Sequence, residues 1–164
     1  MAGIKLSAAP ADLRGLIYAI NKMDKQASNE LRNEVASISK WSAQGIIESS
    51  YSAPMPAQTA IVASSVRAVR DRIPNVQVGG TRGRKTSKGV PAGVLVKGNE
   101  FGAYPTSPAG RFPNGGRRFP FRSPRKGAGN AGYWIYPELA RQQPEITRRW
   151  KRAVDKVLDN WGRY

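Results

Sequence analysis

The stretch that decides the fold spans residues 98–136 and reads GNEFGAYPTSPAGRFPNGGRRFPFRSPRKGAGNAGYWIY. It opens with the box Glu100-Phe101-Gly102, continues as a long loop rich in Pro, Gly and Arg, and closes with the aromatic cluster at 133–136. A compact domain does not need about thirty residues of irregular loop for its own stability, so such a loop is usually functional or disordered. This loop also carries Tyr and Phe side chains that a purely solvated linker lacks. We therefore expect it to pack against the rest of the fold or against another subunit.

The composition narrows the classes of function. A chain of 164 residues fits a single domain over 1–164, with residues 79–90 and 103–131 as protruding segments. The absence of cysteine and histidine excludes disulfides, zinc sites built on those ligands, and Ser-His or Cys-His nucleophiles. No pair of acids is arranged for acid–base catalysis. We therefore expect no enzyme activity, no cofactor and no metal site.

Nothing in the sequence indicates a membrane protein. No stretch approaches the roughly 20 apolar residues of a membrane span, and no long apolar run follows the N-terminus. We expect a protein that makes no membrane contact and is synthesised in the cytoplasm.

The positive charge is concentrated in the middle of the chain. The net charge is +16, of which residues 80–126 contribute +10, with eleven Lys or Arg against one acid. Residues 1–79 and 127–164 contribute +3 each. Such a field favours a polyanionic or acidic partner, and the alternative is that it only maintains solubility.

The N-terminal half predicts one very long helix. After a flexible lead at 1–10, either disordered or extended, the helix begins near Ala11 or Asp12 and runs to Glu48 or Ser49, with Gly45 weakening its end. A coiled coil is the competing explanation, but the repeat is not a clean heptad. The apolar positions recur every three or four residues on one face: Leu13, Leu16, Ile17, Ile20, Met23, Ala27, Leu31, Val35, Ile38 and Trp41.

The next segments predict a shorter helix and a hairpin. The helix covers residues 57–72. Alternating residues at 75–79 and the apolar run within 90–97 predict two strands, with 79–89 as a basic tip between them. The Glu100-Phe101-Gly102 box then lies at the exit of the second strand.

The C-terminal part predicts a last strand and a second amphipathic helix. Residues 132–136 are short and aromatic, as in a strand, and Pro144 suits the first position of a fresh helix. The sequence as a whole therefore predicts an α+β fold, with a long N-terminal helix and a C-terminal amphipathic helix packed on a small antiparallel sheet, and with long basic loops. The apolar stripe of the last helix consists of Ile146, Trp150, Ala153, Val154, Val157, Leu158 and Trp161.

The basic loops have two interpretations. Their cations neutralise phosphates if the partner is a nucleic acid, and their aromatic rings then stack on bases. The aromatics, however, occur in Phe-Pro pairs, which suit docking into a groove of another protein equally well. The residues proposed for these basic contacts are Arg82, Arg84, Lys85, Lys88, Arg117, Arg118, Arg122, Arg125 and Lys126.

The order of these parts resembles the head-tail connector, or neck and tail-completion, proteins of long-tailed (siphovirus-type) phages. The matching segments are Glu100-Phe101-Gly102, Phe119-Pro120, residues 132–137 and the helix from Pro144 to Trp161. Residues 72–80 fit a form associated with actinobacterial phages. The resemblance extends over most of the chain, about Asp12 to Trp161.

The resemblance implies a non-enzymatic virion protein at the head–tail junction. Such proteins form a homo-oligomeric ring, usually a hexamer, between the capsid connector and the tail, and the ring has adjacent connector and tail proteins as partners and possible contact with packaged double-stranded DNA. In a ring, one subunit's arm meets a different patch on the next subunit. A basic nucleic-acid-binding protein is the alternative function. The residues expected at the subunit or ring interface are Glu100, Phe101, Gly102, Phe112, Phe119, Pro120, Phe121, Tyr133 and Trp134.

Overall fold

The fold is α+β, as the sequence predicts. The computed structural model describes residues 4–7, 25–53, 56–80, 83–101 and 132–161. None of the helices in these ranges is long and apolar enough to cross a membrane. The elements are β1 (Ile4–Ser7), α1 (Lys25–Ser49), a 3-10 turn (Ser50–Ser52), α2 (Pro56–Ala63), β2 (Arg67–Val69), β3 (Asn75–Val78), α3 (Ala92–Phe101) and α4 (Ile135–Trp161).

Helices α1 and α4 form a long antiparallel pair. Their contacts run in opposite chain directions: Ser42 lies against Gln142, whereas Glu34 lies against Lys156 near the other end. The stripe predicted for the last helix is confirmed, since most of its described side chains are buried against α1. The buried residues of this first core are Ala27, Leu31, Val35, Ile38, Ile146, Trp150, Ala153, Val154 and Val157.

A second core lies where the C-terminal half of α1 meets the sheet. Ala43 and Ile46 of α1 contribute to it together with both buried valines of β3. Helix α1 therefore belongs to both cores, and its C-terminal half packs on the sheet as predicted. The other buried members are Val62 and Val66 from α2 and the turn after it, Leu95 and Val96 from α3, and Trp134 and Ile135 at the start of α4.

The sheet has three antiparallel strands in the order β1-β3-β2. The register pairs Ile4 with Val78 and Arg67 with Gln77. The strand predicted near 75–79 is confirmed. Residues 4–7, part of the lead that was expected to be disordered or extended, form strand β1. The expected pairing of 75–79 with 90–97 is wrong, because β3 pairs with β1 and β2.

The C-terminal end of the second helix differs from the sequence expectation, whereas that of α1 agrees with it. The second helix ends at Ala63, and residues 67–69 of the predicted helix form strand β2. The hydroxyls of Ser64 and Ser65 bond back to carbonyls three residues earlier, which ends the helix locally. Helix α1 continues through Gly45 to Ser49, and its predicted start near residue 11 lies outside the described residues.

The predicted strand at 90–97 is wrong, because residues 92–101 form helix α3. The valine-rich run resembles a strand, but burial falls on Ala92, Leu95, Val96 and Asn99, at helical spacing. Val94 in the middle of the run is 55% exposed. Glu100 and Phe101 therefore end a helix and do not follow a strand.

Helix α4 also begins earlier than predicted. The expected strand at 132–136 is wrong, because these residues form a turn and then the first residues of the helix. Pro144 does not start a fresh helix but lies within α4. Proline lacks the N–H that would bond Ala140, and both residues are exposed.

Candidate functional site

A buried carboxylate joins the end of α3 to the start of α4. Glu100 has no exposed surface. Its Oε1 accepts a hydrogen bond from the backbone N–H of Tyr136 at 2.8 Å, and its Oε2 accepts from those of Ile135 at 3.0 Å and Trp134 at 3.3 Å. These N–H groups belong to the first turn of a helix, where no intrahelical acceptor exists. Glu100 therefore caps α4 from a position more than thirty residues earlier in the chain.

The electrostatics of this cap combine two opposing effects. Burial raises the pKa of Glu100 above its ordinary value of 4.5, and the backbone N–H groups of residues 133–136 partly counteract the rise. The positive end of the α4 dipole favours the charged form in the same way as the N–H groups do. The N-terminus of α4 thus supplies the hydrogen bonds and the positive potential that stabilise a carboxylate in this buried site.

A second polar contact lies beside the cap. Asn99 Oδ1 accepts a hydrogen bond from the indole N–H of Trp134 at 2.8 Å, and Asn99 Nδ2 donates to Thr59 Oγ1 of α2 at 3.0 Å. All three side chains are buried. The chain Thr59–Asn99–Trp134 therefore connects three helices through a buried network with satisfied partners.

The turn before α4 requires glycine at position 132. Gly132 has φ = +70°, a conformation that side chains rarely adopt, and a Cβ there would overlap Glu100 Oε1. The ring of Tyr136 packs on that of Phe101, with centroids 5.3 Å apart. We call the group Asn99, Glu100, Phe101, Gly132, Trp134 and Tyr136 the clasp.

The clasp holds together the two ends of the segment 102–131. Of the predicted interface residues, the structure brings together Glu100, Phe101, Tyr133 and Trp134. Glu100 and Trp134 are buried within the chain, an internal role that the sequence analysis did not predict. Gly102, Phe112, Phe119, Pro120 and Phe121 lie outside the described residues.

A second buried polar group sets the contact between α1 and α4. Gln142 is 1% exposed, and its Oε1 accepts a hydrogen bond from Ser42 Oγ at 2.6 Å. Its Nε2 donates to Glu138 Oε1 at 2.6 Å. A Cβ on Gly45 would overlap this amide, so glycine allows α4 to approach α1 here. The pKa of Glu138 is lowered, chiefly by its hydrogen bond from Arg141.

The basic residues of the central region lie on an exposed turn. Arg84, Lys85 and Lys88 all project from the segment 83–91, between β3 and α3. The remaining predicted basic contacts, at Arg82, Arg117, Arg118, Arg122, Arg125 and Lys126, lie outside the described residues.

Sequence reasoning missed most of the side chains that organise these sites. Gly132 was named only as the first residue of the segment 132–137, and Asn99 and Gln142 carried no signal, because each acts on residues distant in the chain. Within the described ranges, no group of three acidic side chains is placed to hold a metal ion. No family model, curated protein or solved structure matches this chain significantly.

Proposed function

We propose that this chain is a structural virion protein of the head–tail junction of a long-tailed phage. The observation that carries the proposal is the clasp, which pins both ends of a thirty-residue segment to one point on a packed body. A segment pinned in this way leaves the body in a defined place, as an arm that docks on a neighbour must.

The arm's composition suits docking between proteins. Phe112-Pro113 and Phe119-Pro120 pair a large apolar ring with a residue of restricted backbone. In this proposal the arm buries its aromatic rings against the next subunit. Aromatic side chains seated in pockets are typical anchors of protein interfaces.

A closed ring gives such an arm its partner. In this proposal each subunit's arm meets a different patch on the next copy, and six copies close the ring between the capsid connector and the tail. The adjacent connector and tail proteins then contact the two faces of the ring. The site of action is the virion, after synthesis in the host cytoplasm.

Four of the described acidic groups support a structural role. Glu100 caps a helix, Glu138 and Glu145 pair with arginines of their own helix, and Glu34 pairs with Lys156. Carboxylates committed to caps and ion pairs are not held ready for proton transfer. This commitment agrees with a protein that does not catalyse a reaction.

The test is to locate the protein on particles. An antibody against this chain is applied to intact tailed particles from lysates that contain it, and the label is located by electron microscopy. Label at the head–tail junction is expected, with antibody preadsorbed on purified protein as the control. Particles without label, together with protein recovered on DNA from the lysate, would overturn the proposal in favour of the nucleic-acid-binding alternative.

A further inference from the structure

The described positive charges have different acidic neighbours in the two parts of the molecule. On α4, Arg141 pairs with Glu138, Arg148 and Arg149 pair with Glu145, and Lys156 pairs with Glu34 of α1. By contrast, residues 72–99 contain no acid at all. The helical pair thus carries acids that pair with several of its cations, and the segment 72–99 at the sheet end carries none.

One group of cations without a described ion pair lies at one end of the sheet. The loop after β3 returns to the start of β2, where the backbone N–H of Arg84 donates to Ser64 Oγ at 2.9 Å. Ser65 Oγ accepts from the N–H of Gly79 at 2.8 Å, and Gly93 of α3 packs on Gly79 so closely that neither tolerates a Cβ. We call this area the sheet-end surface. Its cations are Arg67, Arg84, Lys85, Lys88 and Lys97, and no described ion pair involves any of them.

The turn that displays three of these cations has a defined conformation. Thr86 N–H donates to Val90 O at 3.0 Å, and Gly89 N–H donates to Thr86 O at 2.8 Å. Thr86 Oγ1 accepts from the N–H of Val90 at 3.0 Å, and Gly89 adopts φ = +76°. The turn is held by its own backbone and not by the side chains of Arg84, Lys85 and Lys88, which are exposed.

We propose that the sheet-end surface binds the phosphate backbone of duplex DNA. Clustered cations on a preformed turn neutralise neighbouring phosphates with little loss of conformational entropy. Val94 is the one large apolar side chain strongly exposed among the described residues of this area, whereas a protein-binding surface usually has an apolar or aromatic centre. Interfaces with DNA are more polar and far more positive. The partner is therefore a nucleic acid and not an acidic protein. This inference is independent of the proposed location in the virion.

The experiment compares two triple variants with the same reduction in charge. In the first variant Arg84, Lys85 and Lys88 become Gln, and in the control Lys40, Arg152 and Lys151, all exposed on the helical pair, become Gln. Each variant replaces one Arg and two Lys. Binding to a short labelled DNA duplex is measured by fluorescence anisotropy over a salt series, with poly-glutamate as a competitor.

We expect the turn variant to lose DNA affinity and the helical control to keep it. The turn variant should bind DNA at least about tenfold more weakly, and its slope of log affinity against log salt should become shallower by up to about 2.7, near 0.9 for each phosphate that is no longer neutralised. The helical control should retain both values.

Equal weakening in the two variants would overturn the inference, because net charge alone would then explain binding. Displacement of the DNA by poly-glutamate at equal charge would also overturn it, in favour of an acidic protein partner. Neither result depends on where the protein lies in a particle.

Discussion

At the scale of single residues, Glu100 holds the start of α4 in place. Its carboxylate accepts hydrogen bonds from three backbone N–H groups that lie more than thirty residues later in the chain. We expect Glu100→Ala to destabilise the fold by about 2–4 kcal/mol, because it leaves buried N–H groups of the first α4 turn without an acceptor. Glu100→Gln should cost less, since its amide oxygen still accepts. Urea unfolding followed by circular dichroism measures both free energies.

The control for this substitution is Glu48→Ala. Glu48 is an exposed glutamate near the end of α1, and its described hydrogen bond is to Gln44, also exposed. Its removal should change the free energy of unfolding by no more than about 0.5 kcal/mol. If Glu100→Ala were as mild as Glu48→Ala, the clasp would not be what holds α4 in place.

Glu100 should also give the stability an unusual pH dependence. Its raised pKa means that the folded state takes up a proton before the unfolded state does, so stability should rise as the pH falls from neutral towards 4.5. Below 4.5 the order reverses, because the pKa values of Glu138 and Glu145 are lowered by their arginine partners and protonation removes that stabilisation. The chain has no histidine to mask the first effect.

Comparison of the chain with Glu100→Gln isolates this contribution. Gln does not titrate, so the variant should lack the rise in stability between neutral pH and 4.5 and should keep the fall below it. Urea unfolding across that range measures the difference in unfolding free energy. Parallel pH profiles for the two proteins would show that Glu100 has the same pKa in the folded and unfolded states.

At the scale of secondary-structure elements, the α1–α4 pair depends on Trp150. This side chain is 2% exposed, and its indole N–H donates to Arg72 O at 2.9 Å. We expect Trp150→Ala to cost about 3–5 kcal/mol, since it leaves a large cavity and removes the hydrogen bond to Arg72 O. The matched control is Trp41, a partly buried tryptophan of α1 that lies under the guanidinium of Arg149, 4.4 Å away.

Comparison of the two variants shows how much of the loss in unfolding free energy is due to burial, because both remove a tryptophan. Trp41→Ala removes a cation–π contact and part of a packed surface, so it should cost clearly less than Trp150→Ala in the same urea measurement. A change near zero at Trp150 would indicate that the α4 stripe faces a partner and that the first core is incomplete without it.

These elements also show what the sequence could predict. The described part of α1 and the α4 stripe were predictable, because apolar residues such as Leu31, Val35 and Val154 repeat at the period of one buried helical face. Helix α3 was not, because the run at 94–96 favours a strand by composition and becomes a helix only through its packing. The start of α4 depends on Glu100, and no local signal indicates an acceptor so far away in the chain.

The candidate sites were likewise only partly predictable from the sequence. The exposed cations at Arg84, Lys85 and Lys88 were predictable from charge alone, since nothing buries them. Their shared position at the sheet end was not, because it depends on contacts of Ser64 and Gly79 made through the fold. A sequence therefore shows which charged side chains are exposed, whereas the fold decides which residues lie beside them.

At the scale of the whole molecule, the body and the arm should be separable. Deletion of Thr106 to Pro124 shortens the segment between Phe101 and Gly132 from thirty residues to eleven. Closing a shorter loop costs less entropy, so the deletion should leave stability unchanged or raise it by up to about 1 kcal/mol. Unfolding free energy in urea measures this effect, and a collapse of stability would show that the segment belongs to the body's core.

The same deletion tests the arm in assembly, because a subunit without its arm should fold but fail to join particles when supplied in place of the normal chain.

A length-matched variant with Phe112, Phe119 and Phe121 changed to Ser keeps every charge and isolates the aromatic rings. If the rings dock on the next subunit, this variant should fail to join particles as the deletion does, with its urea stability intact, because burial of large apolar side chains supplies most of the contact energy. Incorporation of both variants at the normal level would contradict the arm's role. Incorporation of the Phe variant alone would assign docking to the arm's cations and not to its rings.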